Sequence, residues 1–104
     1  MIEANNINLS IILMEDCWKV VQFYATGCVM CRLNKQILEN NEERLGVKVV
    51  LVNGASCPEV AKEWGVTKAP TVFVVDASGN SFRLADGLQG KQLLDAIKEI
   101  MANA

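Results

Sequence analysis

Residues 18–38 read WKVVQFYATGCVMCRLNKQIL, and this stretch decides the fold. Its first seven residues, Trp18–Tyr24, are rich in β-branched and aromatic side chains, a composition that predicts a buried strand. From Cys28 onward the apolar residues follow a helical period, so a helix is expected from about residue 28 to residue 41 or a little beyond. Two cysteines, Cys28 and Cys31, therefore lie at a junction between a strand and a helix.

The spacing of Cys28 and Cys31 suits a redox pair. Residues three apart at the start of a helix lie on one face, so the two sulfurs can reach bonding distance without unwinding the backbone. The helix N-terminus also presents unpaired N–H groups and the positive end of the helix dipole, which favour a thiolate at Cys28. Because the thiolate is the nucleophile in thiol–disulfide exchange, we expect Cys28 to attack and Cys31 to resolve the mixed disulfide.

Two other interpretations of this cysteine pair are open: two buried thiols that act only as small apolar groups, or half of a zinc site. A structural zinc needs four ligands, whereas the chain has no histidine and no second pair of cysteines with this spacing. The redox interpretation is therefore favoured. The intervening strand should hold Cys17 at the opposite end of the sheet, away from the pair.

Length, composition and charge exclude several further classes of function. The 104 residues suffice for one domain, 1–104, with its own core, and a hydrophobic fraction of 51% excludes a disordered chain. The formal net charge of −2, without a long run of either sign, does not point to nucleic acid or an anionic membrane. The absence of histidine excludes histidine-based triads, histidine general bases and Cys/His metal sites.

The cellular compartment is predicted from the first residues, the apolar runs and the cysteine usage. The first residues lack the basic region of a secretory signal, and no apolar run approaches the length that spans a bilayer. Four cysteines would be an even count for a disulfide framework, but a core of this size needs no disulfide cross-links for stability. We therefore expect a reducing cytoplasm, where a CxxC pair of this kind indicates redox chemistry.

The rest of the chain alternates between helical and strand patterns. The further predicted elements are a short helix within residues 7–14, strands at 47–52, 71–75 and 81–85, a helix from Pro58 to Gly65, and a last helix with an apolar stripe from Leu93 to Met101. The predicted order is α-β-α-β-α-β-β-α, an α/β fold with a central mixed β-sheet flanked by helices. In the helix after Cys28, the apolar face is expected to contain Cys31, Leu33, Ile37 and Leu38.

This order, with the CxxC pair after the first strong strand and Ala69-Pro70-Thr71 before a later one, resembles the thioredoxin family over nearly the whole chain. Further matches are Phe23-Tyr24-Ala25, Gly65-Val66 and Gly87. The resemblance implies a thioredoxin-like fold and a protein-disulfide oxidoreductase. It also implies a cis Pro70 against the disulfide, with the backbone around Ala69 and Pro70 free to pair with a substrate chain.

The chain departs from the family pattern at several positions around the pair. Gly27 stands where the family commonly has Trp, Val29-Met30 replaces Gly-Pro, and Gln36 replaces a mid-helix Pro. Gln22 takes the place of a buried Asp, and Leu51 takes the place of the Lys that accompanies it. Glutamine cannot accept a proton as a carboxylate can, so Cys31 would lack the family's proposed base.

Three further side chains near the site have two interpretations each. Val29 and Met30 either face the core or lie at the rim, where a flexible thioether suits varied apolar substrates. Cys57, near the start of the helix at Pro58, is either an inert thiol in the N-cap region or a regulatory thiol favoured by the helix N-terminus. Either Cys57 or Ser56 is expected to be the N-cap residue.

The predicted function is thiol–disulfide exchange with protein substrates through Cys28 and Cys31, with Val29, Met30, Ala69 and Pro70 contacting the substrate. By resemblance, the partners are protein disulfides and a reductase such as thioredoxin reductase, without nucleic acid or membrane, and the chain is expected to act as a monomer. No metal or organic cofactor is implied. The alternative is a binding module of the same fold that recognises partners with little turnover and uses the disulfide as a switch.

Overall fold

A computed structural model describes residues 1–103. The elements, in chain order, are β1 (Ile2–Ala4), α1 (Leu9–Leu13), β2 (Trp18–Tyr24), α2 (Val29–Leu45), β3 (Val47–Asn53), α3 (Pro58–Glu63), β4 (Thr71–Val75), β5 (Ser81–Arg83) and α4 (Lys91–Asn103). The five strands form one sheet in the order β1-β3-β2-β4-β5. None of the helices within the described residues is long and apolar enough to cross a membrane.

The sheet is mixed, as predicted. β2 pairs in parallel with β3 on one side and antiparallel with β4 on the other, and β5 extends the antiparallel half. The inner residues of β2, most residues of β3 and all of β4 are buried, because helices cover both faces of these strands. This covering explains why the three segments appear in the sequence as continuous apolar runs rather than alternating ones.

The structure adds one strand to the predicted order. β1 comprises only residues 2–4 and pairs in parallel with β3 at the edge of the sheet. Only Ala4 of its three residues is buried, so β1 shows no clear apolar pattern. β5 is also shorter than predicted and ends at Arg83, although the Leu84 N–H still donates a hydrogen bond to the Val72 carbonyl of β4.

Two apolar clusters fill the space on either side of the sheet. One contains the neighbouring rings of Phe23 and Phe73, and Trp64 packs against both of them. The other is formed mainly by β-strand valines, leucines of α2 and α4, and Ile97, with Trp18 packed against it half-buried. The two tryptophans therefore contact the core without being fully enclosed.

The buried face of α2 differs from the predicted one. Cys31, Asn34 and Leu38 are buried, whereas Leu33 is 51% exposed and Ile37 is only half-buried. Leu33 and Cys31 are about 200° apart around a helix of 3.6 residues per turn, so they cannot share a narrow face. The prediction was wrong at Leu33 because it grouped apolar residues into too broad an arc.

Candidate active site

Cys28 is the N-cap residue of α2. Its backbone is extended, with φ −78° and ψ 108°, and it follows Gly27, whose φ of +80° lies in a region that glycine adopts readily. The Sγ of Cys28 accepts a hydrogen bond from the backbone N–H of Cys31 at 3.2 Å. A helix N–H group directed at this sulfur is the geometry that would favour a thiolate in the reduced protein.

Cys28 and Cys31 form a disulfide with their Cα atoms 5.3 Å apart. The two cysteines differ in access, because Cys28 is half-buried at the helix tip whereas Cys31 is only 3% exposed. An incoming disulfide can therefore approach one sulfur from solvent, while the other lies one turn deeper. The sequence-predicted pair is brought together by the fold, with the geometry that sequential attack and resolution need.

The helix surface beside Cys28 is apolar and accessible. Val29 is 58% exposed and Met30 is half-buried, so Val29 lies at the rim rather than in the core. Leu33, one turn after Val29, extends this surface. We name Val29, Met30 and Leu33 the apolar rim. Leu33 was not among the predicted substrate-contacting residues, because it was assigned to the core.

Ala69 and Pro70 are half-buried, and the peptide bond between them is cis, as the resemblance implied. The next residue, Thr71, begins β4 and pairs with Phe23 near the end of β2. The Thr71 hydroxyl donates a hydrogen bond to the carbonyl of Lys68 at 2.7 Å, which closes the turn around the proline. Pro70 therefore lies next to the end of β2, where the chain leaves the sheet for the cysteine loop.

Gln22 lies directly beneath the buried cysteine. Its side-chain Nε2 donates a hydrogen bond to the carbonyl of Cys31 at 3.2 Å. Its Oε1 is buried, and no donor among residues 1–103 reaches it. Leu51 is the neighbour of Gln22 in β3, as expected from the sequence.

A cleft of about 230 Å³ opens beside Cys31 on the side of β1. Its lining residues are Glu3, Gln22, Tyr24, Ala25, Thr26, Gly27, Cys31, Arg32, Lys35 and Leu51. The Tyr24 hydroxyl donates a hydrogen bond to Oε2 of Glu3 at 2.9 Å. Burial and this bond to Glu3 raise the pKa of Tyr24 above its ordinary value. Glu3 was missed in the sequence, because β1 carries no clear strand signal.

The other two cysteines are free thiols. Cys57 is the N-cap residue of α3 and is 4% exposed, but its side chain makes no capping hydrogen bond. Cys17 is half-buried immediately before β2, at the opposite end of that strand from the cysteine loop. Within residues 1–103, no group of three or more His, Cys, Asp or Glu side chains could hold a metal ion.

Comparison with known proteins agrees with this geometry. The Thioredoxin family model matches residues 2–101 of the chain. The thioredoxin of Malassezia sympodialis is a structural match with a TM-score of 0.80 and 19% identity, over 95% of this chain and 89% of that one. The thioredoxin of Fasciola hepatica matches with a TM-score of 0.77 and 22% identity, over 94% of this chain and 96% of that one.

A third match is the first thioredoxin domain of mouse protein disulfide-isomerase A4, with a TM-score of 0.77 and 16% identity, over 94% of this chain and 73% of that one. Identities this low establish a shared fold, while the family model covers nearly the entire sequence. The fold and a CxxC pair at disulfide distance together support thiol–disulfide oxidoreductase chemistry in general.

Proposed function

This chain belongs to the thioredoxin family, and we propose that it exchanges dithiol and disulfide with protein substrates through Cys28 and Cys31. The observation that carries the proposal is the unequal access of the two bonded cysteines. Cys28 is reachable at the helix tip, and Cys31 is buried one turn behind it. A symmetrical structural disulfide has no need of this arrangement, whereas sequential attack and resolution do.

The reaction runs in two steps from the reduced protein. The Cys28 thiolate attacks one sulfur of a substrate disulfide, a mixed disulfide forms, and the second substrate sulfur leaves as a thiolate. Cys31 then loses its proton and attacks Sγ of Cys28, and the first substrate sulfur leaves as a thiolate. Two electrons have passed to the substrate, and the domain carries the Cys28–Cys31 disulfide seen in the structure.

Substrate contact is assigned to two surfaces that flank Cys28. The apolar rim offers exposed aliphatic side chains next to the attacking sulfur. The backbone around Ala69 and Pro70 lies just before β4, next to the end of β2 from which the cysteine loop departs. An extended substrate segment could pair with this backbone while its apolar side chains contact the rim, which would suit many sequences.

The proposed compartment and partners are those that suit thiol–disulfide exchange. We propose that the protein works as a monomer in a reducing cytoplasm and takes part in electron transfer that maintains redox homeostasis. A separate reductase, such as thioredoxin reductase, would return two electrons to the disulfide after each cycle. Neither nucleic acid nor membrane is assigned as a partner.

Reduction of insulin by dithiothreitol tests the proposal. The wild-type chain should accelerate the precipitation of insulin, and Cys31→Ser should lower the turnover by at least about tenfold because mixed disulfides are no longer resolved from within. Cys17→Ser is the matched control, since it removes a thiol at the other end of β2. Wild-type protein with no effect on insulin would contradict the proposal.

The alternative function is a redox-sensitive binding module with little turnover. It is favoured by Gln22 and Leu51, which leave no carboxylate or amine directly beneath the resolving cysteine. In that case, the wild-type chain would bind a partner in one redox state and would not accelerate insulin reduction. The same assay, repeated with pull-downs of the oxidised and the reduced chain, separates the two functions.

A further inference from the structure

We propose that Glu3 accepts the proton that Cys31 loses during resolution, and that the proton crosses the cleft through solvent. This inference rests on the proposed function, because it concerns the second step of the exchange. Cys31 must become a thiolate before it can attack Cys28, and an ordinary thiol is mostly protonated at neutral pH. A group that takes this proton should therefore lie within reach of the buried cysteine.

Gln22, the side chain in contact with Cys31, cannot take the proton. A neutral amide oxygen accepts hydrogen bonds but does not serve as a base near neutral pH. The Gln22 amide is fixed by its bond to the Cys31 carbonyl, and its Oε1 is left without a donor. This oxygen is enclosed and does not reach the solvent of the cleft, so Gln22 acts as a positioning residue that holds the Cys31 backbone.

The sheet register places the Glu3 carboxylate on the same face of the sheet as Gln22, two strands away from it. Leu51 is the direct neighbour of Glu3 on one side and of Gln22 on the other. Adjacent strands are about 4.8 Å apart, so Glu3 and Gln22 lie about 10 Å apart at the backbone, and the glutamate side chain shortens that gap. Leu51 contributes no charge between them, and Glu3 and Cys31 both line the cleft.

Glu3 alone carries a carboxylate among the described residues that line the cleft. The titratable and charged groups facing it are Tyr24 from β2 and Arg32 and Lys35 from α2, while β3 contributes only Leu51. The Tyr24 hydroxyl holds the carboxylate at 2.9 Å and stays protonated, because its pKa is raised above the ordinary value. Arg32 and Lys35 place two positive charges at the cleft that Glu3 and Cys31 share.

The cleft is large enough for a solvent path. Its volume of about 230 Å³ exceeds the roughly 30 Å³ that one water molecule occupies, so several can stand between the two ends. In the step, the S–H bond of Cys31 breaks and a proton passes through this solvent to the Glu3 carboxylate. The thiolate attacks Sγ of Cys28, the bond from Cys28 to the substrate sulfur breaks, and the departing substrate thiolate later takes up the proton.

Stopped-flow reaction of the reduced protein with one equivalent of dithiobis-nitrobenzoate tests the proposal, in a Cys17→Ser background that avoids colour from that thiol. The first thionitrobenzoate released reports attack by Cys28, and the second reports resolution by Cys31. Glu3→Gln should slow only the second phase at neutral pH, by about a hundredfold, the low end of what a proton acceptor contributes. At alkaline pH the two proteins should converge, because hydroxide then removes the proton directly.

The matched control is Glu39→Gln, which removes the same charge from an exposed position of α2 outside the cleft. It should leave both phases as in the parent protein. Glu3→Ala adds a second readout, since formate is small enough for the cleft and should restore the second phase in proportion to its concentration. Sodium chloride at equal ionic strength should not restore it.

The outcomes separate this inference from the proposed function. A second phase that is equal in Glu3→Gln and the parent at neutral pH overturns the role of Glu3 and leaves the exchange activity intact. A slowing that is the same at every pH, without rescue by formate, also overturns it, because it indicates only a structural role. Absence of a second phase in the parent protein would instead contradict the proposed function.

Discussion

Cys28 and Cys31 are bonded to each other, yet their surroundings differ. Cys28 lies at a helix tip open to solvent, with a backbone N–H group directed at its sulfur. Cys31 lies above a row of sheet residues, which we name the floor: Glu3, Leu51 and Gln22 in β1, β3 and β2. The tip is built from adjacent residues, whereas the floor joins three strands that are distant in sequence. Nucleophilic chemistry is therefore encoded locally here, and proton chemistry depends on sheet register.

Removal of each sulfur in turn is expected to give the largest effect. Cys28→Ser should reduce insulin reduction to the rate with dithiothreitol alone, because the attacking group is lost. Cys31→Ser should keep the attack and accumulate a covalent complex with the substrate. Non-reducing electrophoresis after mixing with oxidised substrate measures this difference, and equal trapping by both variants would abolish the distinction between the tip and the buried cysteine.

A carboxylate placed directly in the floor is expected to have the next largest effect. Gln22→Asp should speed resolution at neutral to alkaline pH, since an acceptor then lies beneath Cys31. It should also destabilise the protein, because burial without a cationic neighbour raises the folded-state pKa of the new carboxyl above its unfolded value of about 3.9. A rise of about two units corresponds to a loss of about 3 kcal/mol in the free energy of unfolding at neutral pH.

The pH dependence of Gln22→Asp follows from the sign of that change. Because the folded pKa is the higher one, stability is retained below the unfolded pKa and is lost as pH rises through the folded pKa. Urea midpoints at acidic and neutral pH measure the loss, and Gln22→Asn is the neutral control of equal length. If the difference in urea midpoint between Gln22→Asp and Gln22→Asn stays constant with pH, the new carboxyl at residue 22 titrates as if exposed.

The fold was predictable wherever burial requires a strong pattern of apolar residues in the sequence. β2 and β4 begin and end at the predicted residues, because helices on both faces make them continuously apolar. β1 was not predictable, since two exposed residues and one buried alanine carry no period, and Glu3 was missed with it. Leu33 was assigned to the wrong face, because the predicted apolar arc was too broad and the neighbouring buried position is taken by a polar residue, Asn34. The cysteine site at the helix tip could be predicted from the spacing of Cys28 and Cys31. The residues that line the cleft could not, because they come together only through the register of β1, β3 and β2.

A substitution in the apolar rim is expected to have a smaller effect, on substrate contact alone. Val29→Ser removes exposed aliphatic surface beside Cys28 and should raise the KM for protein disulfides by about fivefold, from about 1 kcal/mol of lost contact. Ile11→Ser is the control, as Ile11 is similarly exposed, at 66%, on α1. Steady-state insulin reduction measures both variants, and an equal change in KM would mean that general surface apolarity matters rather than the rim.

The smallest expected effect is spectroscopic and concerns the outer end of the floor. The chain has one tyrosine, so ultraviolet absorbance during alkaline titration reports Tyr24 alone. Glu3→Gln should lower the pKa of Tyr24 towards its ordinary value but not fully to it, because burial is the larger cause of the rise and the bond to Glu3 is the next. An unchanged titration would show that the contact between Tyr24 and Glu3 does not persist in solution.

Brief alkylation tests the difference between the two cysteines most directly. The fully reduced protein is treated with limiting iodoacetamide at neutral pH, quenched, and digested for mass spectrometry. Cys28 should be labelled well before Cys31, because the helix N-terminus favours its thiolate and solvent reaches it, while Cys31 is buried. Equal labelling of the two, or preferential labelling of Cys31, would contradict the assignment of Cys28 as the attacking thiol.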